Sequence, residues 1–224
     1  MGLTQTRNNR SQANLQALHG GLFLALLPIS SVIPDLAGWP WLLLVPLAFY
    51  GIIVCLIPPL RRSVHWIKFG NLGGKVLLAT AAIIVVTSLA LLWYNAQFKQ
   101  DVLPLSQMLP FWLPVPVVVA GALFSILNAL MEEVIFRGIL LDALASQVGS
   151  KLAVVVQALA FAVGHSQGYP PGNFGMVLAG TYGLVLGLLR LWTGGLAAPW
   201  IAHVFADATI FWIVVSGGSN PPLS

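Results

Sequence analysis

The 224-residue chain is 58% hydrophobic and only 7% charged, with a formal net charge of +4. Soluble domains carry about a quarter charged residues, so this composition excludes an ordinary soluble domain. Together with a mean hydropathy of +0.90, it predicts an all-α, polytopic integral membrane protein. The small positive charge calls for no nucleic-acid partner, and the single cysteine, Cys55, cannot form an internal disulfide.

Seven apolar stretches are candidates for transmembrane helices, since a bilayer core needs about 20 helical residues. The first stretch follows a polar start, and no small-residue cleavage site comes after its apolar run. It is therefore predicted to be a retained signal anchor. The fourth is expected to begin near Pro116, because proline suits a first helical turn. A stripe of Ala179, Gly183 and Gly187 in the sixth predicts close helix packing. The seven predicted spans cover residues 15–33, 40–57, 76–94, 116–146, 151–165, 174–192 and 196–215.

The basic residues predict the orientation of these spans. With seven spans and a cytoplasmic N-terminus, only Lys99 falls on the outer side, as the positive-inside rule favours. The expected location is a bacterial cytoplasmic membrane. The basic residues on or near the cytoplasmic side are then Arg7, Arg10, Arg61, Arg62, Lys68, Lys75, Lys151 and Arg190.

The two glutamates of the chain, Glu132 and Glu133, lie side by side inside an apolar run. Ionisable residues at bilayer depth are costly, and they usually face a protein interior or a water-filled cavity. Glu133 and Arg137 have the i,i+4 spacing of a helical ion pair, which we expect to be structural. Glu132 points about 100° away around the helix, without that partner.

Two further residue pairs occur at i,i+4 spacing, so that each pair shares a helix face. Taken singly, such a residue is more simply explained by core packing or by one interhelical hydrogen bond. The combination indicates a functional site, because nearly every ionisable group of the spans falls into three short motifs. The two pairs are Phe161 with His165, and His203 with Asp207.

The depth of these residues in the membrane can be estimated from helix geometry. A hairpin that turns between residues 148 and 149 leaves Glu132 and His165 equally far from the turn, and therefore at the same depth. His203 lies on the last helix at a distance compatible with the same layer. We therefore expect about seven helices around a polar intramembrane cavity.

A carboxylate and a histidine at a cavity can activate water as a general base for attack on a carbonyl. A second histidine could stabilise the developing oxyanion. The same three side chains could instead hold zinc, with an open position for water. A His-Glu-x-x-His motif is absent, which removes the strongest signal for a metal, but the residues themselves leave both chemistries open.

The ordered motifs Glu132-Glu133-x-x-x-Arg137, Phe161-x-x-x-His165 and His203-x-x-x-Asp207 resemble those of the CPBP family. That family comprises CAAX prenyl endopeptidases and bacteriocin-processing or immunity-related membrane proteins, also called Abi proteins. The resemblance covers roughly residues 115–215. It implies an intramembrane endopeptidase with an all-helical fold and a cavity open to the cytoplasm. We expect one membrane domain, with N-terminal helices over residues 1–112 and the catalytic core over residues 113–224.

The resemblance also implies roles for individual residues. Glu132 with His165 would activate water, and His203 with Asp207 would bind the oxyanion. Position 207 departs from the prenyl-endopeptidase pattern, which has asparagine there, and an ionised carboxylate cannot donate to an oxyanion. The residues expected to support the site are Glu133, Arg137, Phe161 and Asn128.

No cofactor is favoured, although zinc is possible, with ligands drawn from His165, His203 and either Glu132 or Asp207. Ligating histidines normally have hydrogen-bond partners on their second ring nitrogens. The sequence offers few nearby, which favours the metal-free alternative. The nearby candidates are chiefly Asn128, Gln157 and Asp207. Of these, Gln157 could also line the cavity.

The expected partners are a peptide or membrane-protein substrate and the lipid bilayer. Two other functional classes stay open: a non-catalytic scaffold or bacteriocin-immunity-like protein, and a small proton-coupled transporter. A transporter would favour ionisable residues spread across the membrane depth and two related halves. In this chain the ionisable residues cluster at one depth in the C-terminal half, so the transporter is ranked below the endopeptidase and the scaffold.

Overall fold

The computed structural model describes residues 2–98, 116–166 and 168–218, and over these residues it contains helices and no strand. This confirms the predicted all-α, polytopic class. The α-helices are α1 (Gly2–Val32), α2 (Trp41–Leu56), α3 (Pro58–Ser63), α4 (Gly74–Gln97), α5 (Val117–Glu133), α6 (Leu141–Val148), α7 (Ser150–Gly164), α8 (Gly172–Thr193) and α9 (Ala197–Gly218), with a 3-10 turn at Pro34–Leu36 and a π-helical segment at Val134–Leu140.

The described residues contain five helices that are long and apolar enough to cross a membrane, when α5, the π segment and α6 count as one. The shorter apolar helices α2 and α7 complete the seven predicted spans. Large apolar side chains on the outer surface are exposed, such as Leu78 at 73% and Val118 at 82%, as expected for a lipid-facing surface. The segment between the second and third predicted spans begins with helix α3, because proline is tolerated in a first helical turn.

The hairpin of α6 and α7 turns at Gly149, whose φ of 80° lies in the left-handed region that favours glycine. Helix α7 then packs against α8 through the predicted small-residue stripe. A β-carbon at Gly183 would lie 3.2 Å from Cδ1 of Phe161, and one at Gly187 would lie 2.8 Å from Nε2 of Gln157. The glycines therefore allow the two backbones to approach closely.

The π-helical segment Val134–Leu140 directly follows the two glutamates. All of its residues except Val134 are buried, including Arg137. A π turn accommodates one extra residue, and such turns occur frequently at functional sites. The apolar pattern of these residues does not predict this change in helical pitch.

A short extended segment links the N-terminal helices to the C-terminal ones. The Leu196 amide donates to the Lys68 carbonyl at 2.8 Å, and the Ala197 amide donates to the Phe69 carbonyl at 3.1 Å. The Asn71 amide donates to the Thr193 carbonyl at 2.9 Å. The loop after α3 therefore lies against the turn between α8 and α9.

His19 lies in a buried polar contact among α1, α2 and α3. Its Nδ1 is 2.7 Å from the Tyr50 hydroxyl, and its Nε2 is 2.9 Å from the Ser63 hydroxyl. The side chain of His19 is only 1% exposed. Its two hydrogen bonds make it a structural residue that joins the three helices.

Orientation in the membrane stays a prediction, and the fold makes it testable at two loops. On α1, Gln16 donates to the Ser63 carbonyl at 2.6 Å, and the Ala13 carbonyl accepts from Gln147 at 3.0 Å. The loop over residues 61–75 and the turn near Gln147 therefore lie at the same end of the bundle. We expect reporter fusions at both positions to read as cytoplasmic, and an external signal at Gln147 would contradict the orientation.

Candidate active site

Glu132 and His165 meet where α5 runs antiparallel to α7. The Glu132 Oε2 atom lies 3.6 Å from His165 Nε2. The two residues therefore lie at the same depth, as the hairpin geometry predicted. The glutamate side chain is 8% exposed and the histidine side chain is 24% exposed, so the histidine is the more open member of the pair.

His203 and Asp207, one turn apart on α9, complete the cluster. His203 Nε2 lies 3.5 Å from Glu132 Oε2 and 3.7 Å from Asp207 Oδ1. Both side chains are buried. The four residues that the sequence predicted to be catalytic thus lie together, on three different helices.

Glu133 and Arg137 form the expected ion pair, with Arg137 NH1 2.8 Å from Glu133 Oε1 and neither side chain exposed. The same Glu133 oxygen lies 2.7 Å from His203 Nδ1, and this contact was not predicted. The Arg137 guanidinium also lies over the Phe161 ring, with Cζ 4.3 Å from the centroid, a cation–π geometry. The pair therefore neutralises the buried charge of Arg137, and its carboxylate fixes the plane of the His203 ring.

Asn128 connects the two remaining carboxylates. Its Nδ2 donates to Glu132 Oε1 at 3.2 Å and to Asp207 Oδ2 at 3.0 Å. Its Oδ1 accepts from the Trp39 indole N–H at 3.0 Å. Trp39 precedes α2 and belongs to no motif, so it was not predicted from the sequence. Its N–H donor fixes which end of the Asn128 amide faces the acids.

The hydrogen bonds of His165 determine which of its nitrogens faces Glu132. Its Nδ1 lies 2.8 Å from the Phe161 carbonyl oxygen, which can only accept, so Nδ1 carries a proton. The Phe161 ring also packs on the His165 ring, with centroids 4.1 Å apart. In the neutral imidazole Nε2 is then an acceptor, directed towards Glu132.

With a neutral His165 and an ionised Glu132, two acceptors face one another. Glu132 Oε1 accepts from Asn128, whereas Glu132 Oε2 is buried and has no hydrogen-bond partner among the residues that the structure describes. Buried polar atoms normally have a partner. The 3.6 Å gap between Oε2 and His165 Nε2 is too long for a direct hydrogen bond, and both atoms can accept from one water molecule.

A cavity of about 400 Å³ reaches this cluster between α4, α7, α8 and α9. His165, His203 and Asp207 line it on one side, while most of the other lining residues are apolar, contributed mainly by α4 and α8. Gln157, which the sequence suggested could line the cavity, does not. It is fully buried and donates to the Gly183 carbonyl at 2.9 Å.

Tyr169, in the loop between α7 and α8, lies in the cavity wall. Its hydroxyl donates to Asn95 Oδ1 at 3.0 Å, which joins the loop to the end of α4. Burial, with a smaller effect from Tyr94, raises the pKa of the Tyr169 phenol to about 12. The group therefore stays a neutral donor at physiological pH.

The donor set that the zinc alternative requires can be compared with the geometry. Both histidines have partners on their second nitrogens, the Phe161 carbonyl for His165 and Glu133 for His203, so the expectation that such partners are scarce was wrong. Nevertheless, within the part of the chain that the structure describes, no group of three or more His, Cys, Asp or Glu residues is arranged to hold a metal ion. The absence of a metal stays a prediction, which chelation and elemental analysis can test.

Comparison with known proteins supports the resemblance inferred from the motifs. Residues 112–209 match the family model of type II CAAX prenyl endopeptidase Rce1-like proteins. All eight residues predicted to form or support the site lie inside this match. No curated protein and no solved structure matches the chain.

Proposed function

We propose, from the match of residues 112–209 to the Rce1-like family of type II CAAX prenyl endopeptidases, that this chain cleaves peptide bonds with water activated by Glu132 and His165. The match supports a CAAX-type membrane protease in general terms. The observation that supports the mechanism is the unpartnered, buried Oε2 of Glu132, which lies within 3.6 Å of the Nε2 atoms of two histidines.

A water molecule between Glu132 and His165 would donate one hydrogen bond to each of them. This arrangement leaves a lone pair of its oxygen free to attack a carbonyl carbon. As the new C–O bond forms, the carbonyl π electrons move to oxygen and one water proton passes to the Glu132–His165 pair. Collapse of the tetrahedral intermediate restores the C=O bond and breaks the C–N bond, and the leaving amine takes that proton.

His203 is the candidate for stabilising the oxyanion. Its Nδ1 is held by Glu133 at 2.7 Å, so a protonated Nε2 would point towards the space shared by Glu132 and Asp207. Asp207 accepts a hydrogen bond from Asn128 and acts as an orienting and charge-balancing group. A donor aimed at the developing negative charge typically contributes a factor of about 10²–10³ to kcat.

A non-catalytic scaffold is the competing hypothesis, and the pattern of hydrogen bonds disfavours it. A purely structural polar network is stabilised when every buried member has a partner. The supporting pair also has unpartnered buried atoms, Glu133 Oε2 and Arg137 Nε, so an unpartnered atom alone does not mark a catalytic group. The Glu132 Oε2 atom differs in its position, since it lies 3.6 Å from Nε2 of His165, which lines the cavity, as expected for an atom that binds a reactant.

The proposal is tested by incubating the purified protein, in detergent or vesicles, with a peptide library and analysing the products by mass spectrometry. We expect cleavage of at least one peptide class, with activity retained within about twofold after chelator treatment, because the bases that activate water are side chains. Elemental analysis of the same samples is expected to find no stoichiometric transition metal.

The chelation experiment has a clear contrary outcome. One zinc per chain, lost together with activity on chelation and restored by zinc alone, would replace the water-activation mechanism by a metal-dependent one. Absence of cleavage with every peptide, with and without added zinc, would instead favour the scaffold. The control is the Glu132→Gln variant, which should be inactive under all of these conditions.

A further inference from the structure

The hydroxyl of Tyr182 is a polar atom of the site that the mechanism has not used. Tyr182 lies on α8 and lines the same cavity as His165, His203 and Asp207. Its hydroxyl oxygen is buried and has no hydrogen-bond partner within the described ranges of the chain. A buried hydroxyl without a partner is unusual, because its desolvation is not compensated.

The position of the Tyr182 ring is fixed by packing on both sides of α8. The ring meets His203 edge to face, with centroids 5.7 Å apart and planes at 84°. The next residue, Gly183, lies close to Phe161 and accepts a hydrogen bond from Gln157 through its carbonyl. The phenol is therefore held beside the catalytic cluster by the α7–α8 contact.

The cluster lacks a neutral donor that its neighbours have not already engaged. Asp207 can only accept when ionised, and Asn128 donates to Glu132 and Asp207. The His203 Nδ1 is engaged by Glu133. A neutral phenol carries an O–H donor, and the hydroxyl of Tyr182 has no competing acceptor among the described residues.

We propose that Tyr182 is a further catalytic residue, whose hydroxyl donates a hydrogen bond to the oxyanion of the tetrahedral intermediate. This inference rests on the proposed endopeptidase function and adds a second donor beside His203. Tyr182 itself gives up no proton. The carbonyl π pair moves to oxygen as water attacks, and the hydrogen bond from the Tyr182 O–H to that oxygen becomes shorter. An ionised aspartate at position 207 cannot donate a hydrogen bond, so the hydroxyl of Tyr182 would be the second donor to the oxyanion.

The test is Tyr182→Phe, which removes the hydroxyl and keeps the ring that packs on His203. We expect kcat for a cleaved peptide to fall by about 10²–10³-fold, the usual effect of losing one oxyanion donor. KM should stay within about twofold, because the hydroxyl acts mainly in the transition state. The affinity for a peptide phosphinate, a tetrahedral analogue of the same sequence, should weaken markedly, while that for the uncleaved peptide, measured in the Glu132→Gln background, should not.

Thermal unfolding separates this role from a structural one. Loss of an unpartnered hydroxyl should leave the Tm of Tyr182→Phe unchanged or slightly raised. Tyr94→Phe is the matched control, since Tyr94 is also buried, stacks on Phe174 with centroids 5.1 Å apart, and lies outside the cavity wall. It should leave kcat unchanged.

Three results would overturn the assignment of Tyr182. They are a kcat of Tyr182→Phe within twofold of the unmodified protein, an unchanged affinity for the phosphinate, and a fall in Tm that accounts for the lost activity. Each leaves the endopeptidase function intact, because the unmodified protein still cleaves the peptide. Failure of the unmodified protein to cleave any peptide would instead remove the proposed function and this inference with it.

Discussion

Replacing Glu132 with glutamine is expected to reduce peptide cleavage by roughly 10²–10⁴-fold, the contribution of a positioned general base. An amide cannot take a proton from water, and its NH2 group would donate towards His165 instead of accepting. Glutamine has nearly the same volume and can still accept from Asn128, so the free energy of unfolding should change by less than about 1 kcal/mol. Peptide cleavage and thermal unfolding of the same preparation measure the two effects.

The matched control for this change is Asp35→Asn. Asp35 is exposed in the 3-10 turn Pro34–Leu36, so the same acid-to-amide substitution there should affect neither activity nor stability. A fully active Glu132→Gln variant would refute the assignment of Glu132 as the base. Equal losses of activity in both variants would indicate that the assay responds to something other than the site.

Replacing Glu133 with glutamine is expected to destabilise the protein by about 3–5 kcal/mol, the usual cost of leaving one member of a buried ion pair without its partner. Arg137 has no exposed surface, so water cannot replace the lost carboxylate. The change also weakens the bond that holds His203 Nδ1. Thermal unfolding should therefore show a Tm lower by roughly 10 °C, together with loss of activity.

A double variant distinguishes the stranded charge from other causes. Combining Glu133→Gln with Arg137→Met removes both charges, and should recover part of the lost stability, since replacing a whole buried pair is far less costly than breaking it. It should not recover activity, because His203 still lacks its charged partner. A double variant less stable than Glu133→Gln alone would show that the Arg137 contact with Phe161 matters more than its charge.

The parts of the structure that local patterns determine could be predicted from the sequence. Apolar stretches of about 20 residues fix the spans, and the spacing of Glu132 and His165 about the turn at Gly149 fixes their common depth. The Glu133–Arg137 pair forms because both residues lie on one helix, where i,i+4 geometry leaves little choice. These features depend on residues close in sequence or on one simple hairpin.

The missed features depend on contacts between distant segments. Trp39 acts on Asn128 across 89 positions of sequence, and no periodicity in either segment indicates that contact. Tyr182 resembles an ordinary aromatic residue of a membrane helix until the cavity beside it is known. The π segment Val134–Leu140 is equally hidden, because its residues have the same apolar pattern as an α-helix and only packing selects the wider turn.

The hydrogen bond from Trp39 to Asn128 has a consequence for the biogenesis of the protein. The segment that bears Trp39 is synthesised before the helices that bear the acids, so its N–H donor is available when Asn128 is inserted. An Asn128 amide turned the other way would direct its oxygen at two carboxylates, and would repel the charges it otherwise bridges. A truncated chain without Trp39 would therefore lose the donor that orients Asn128.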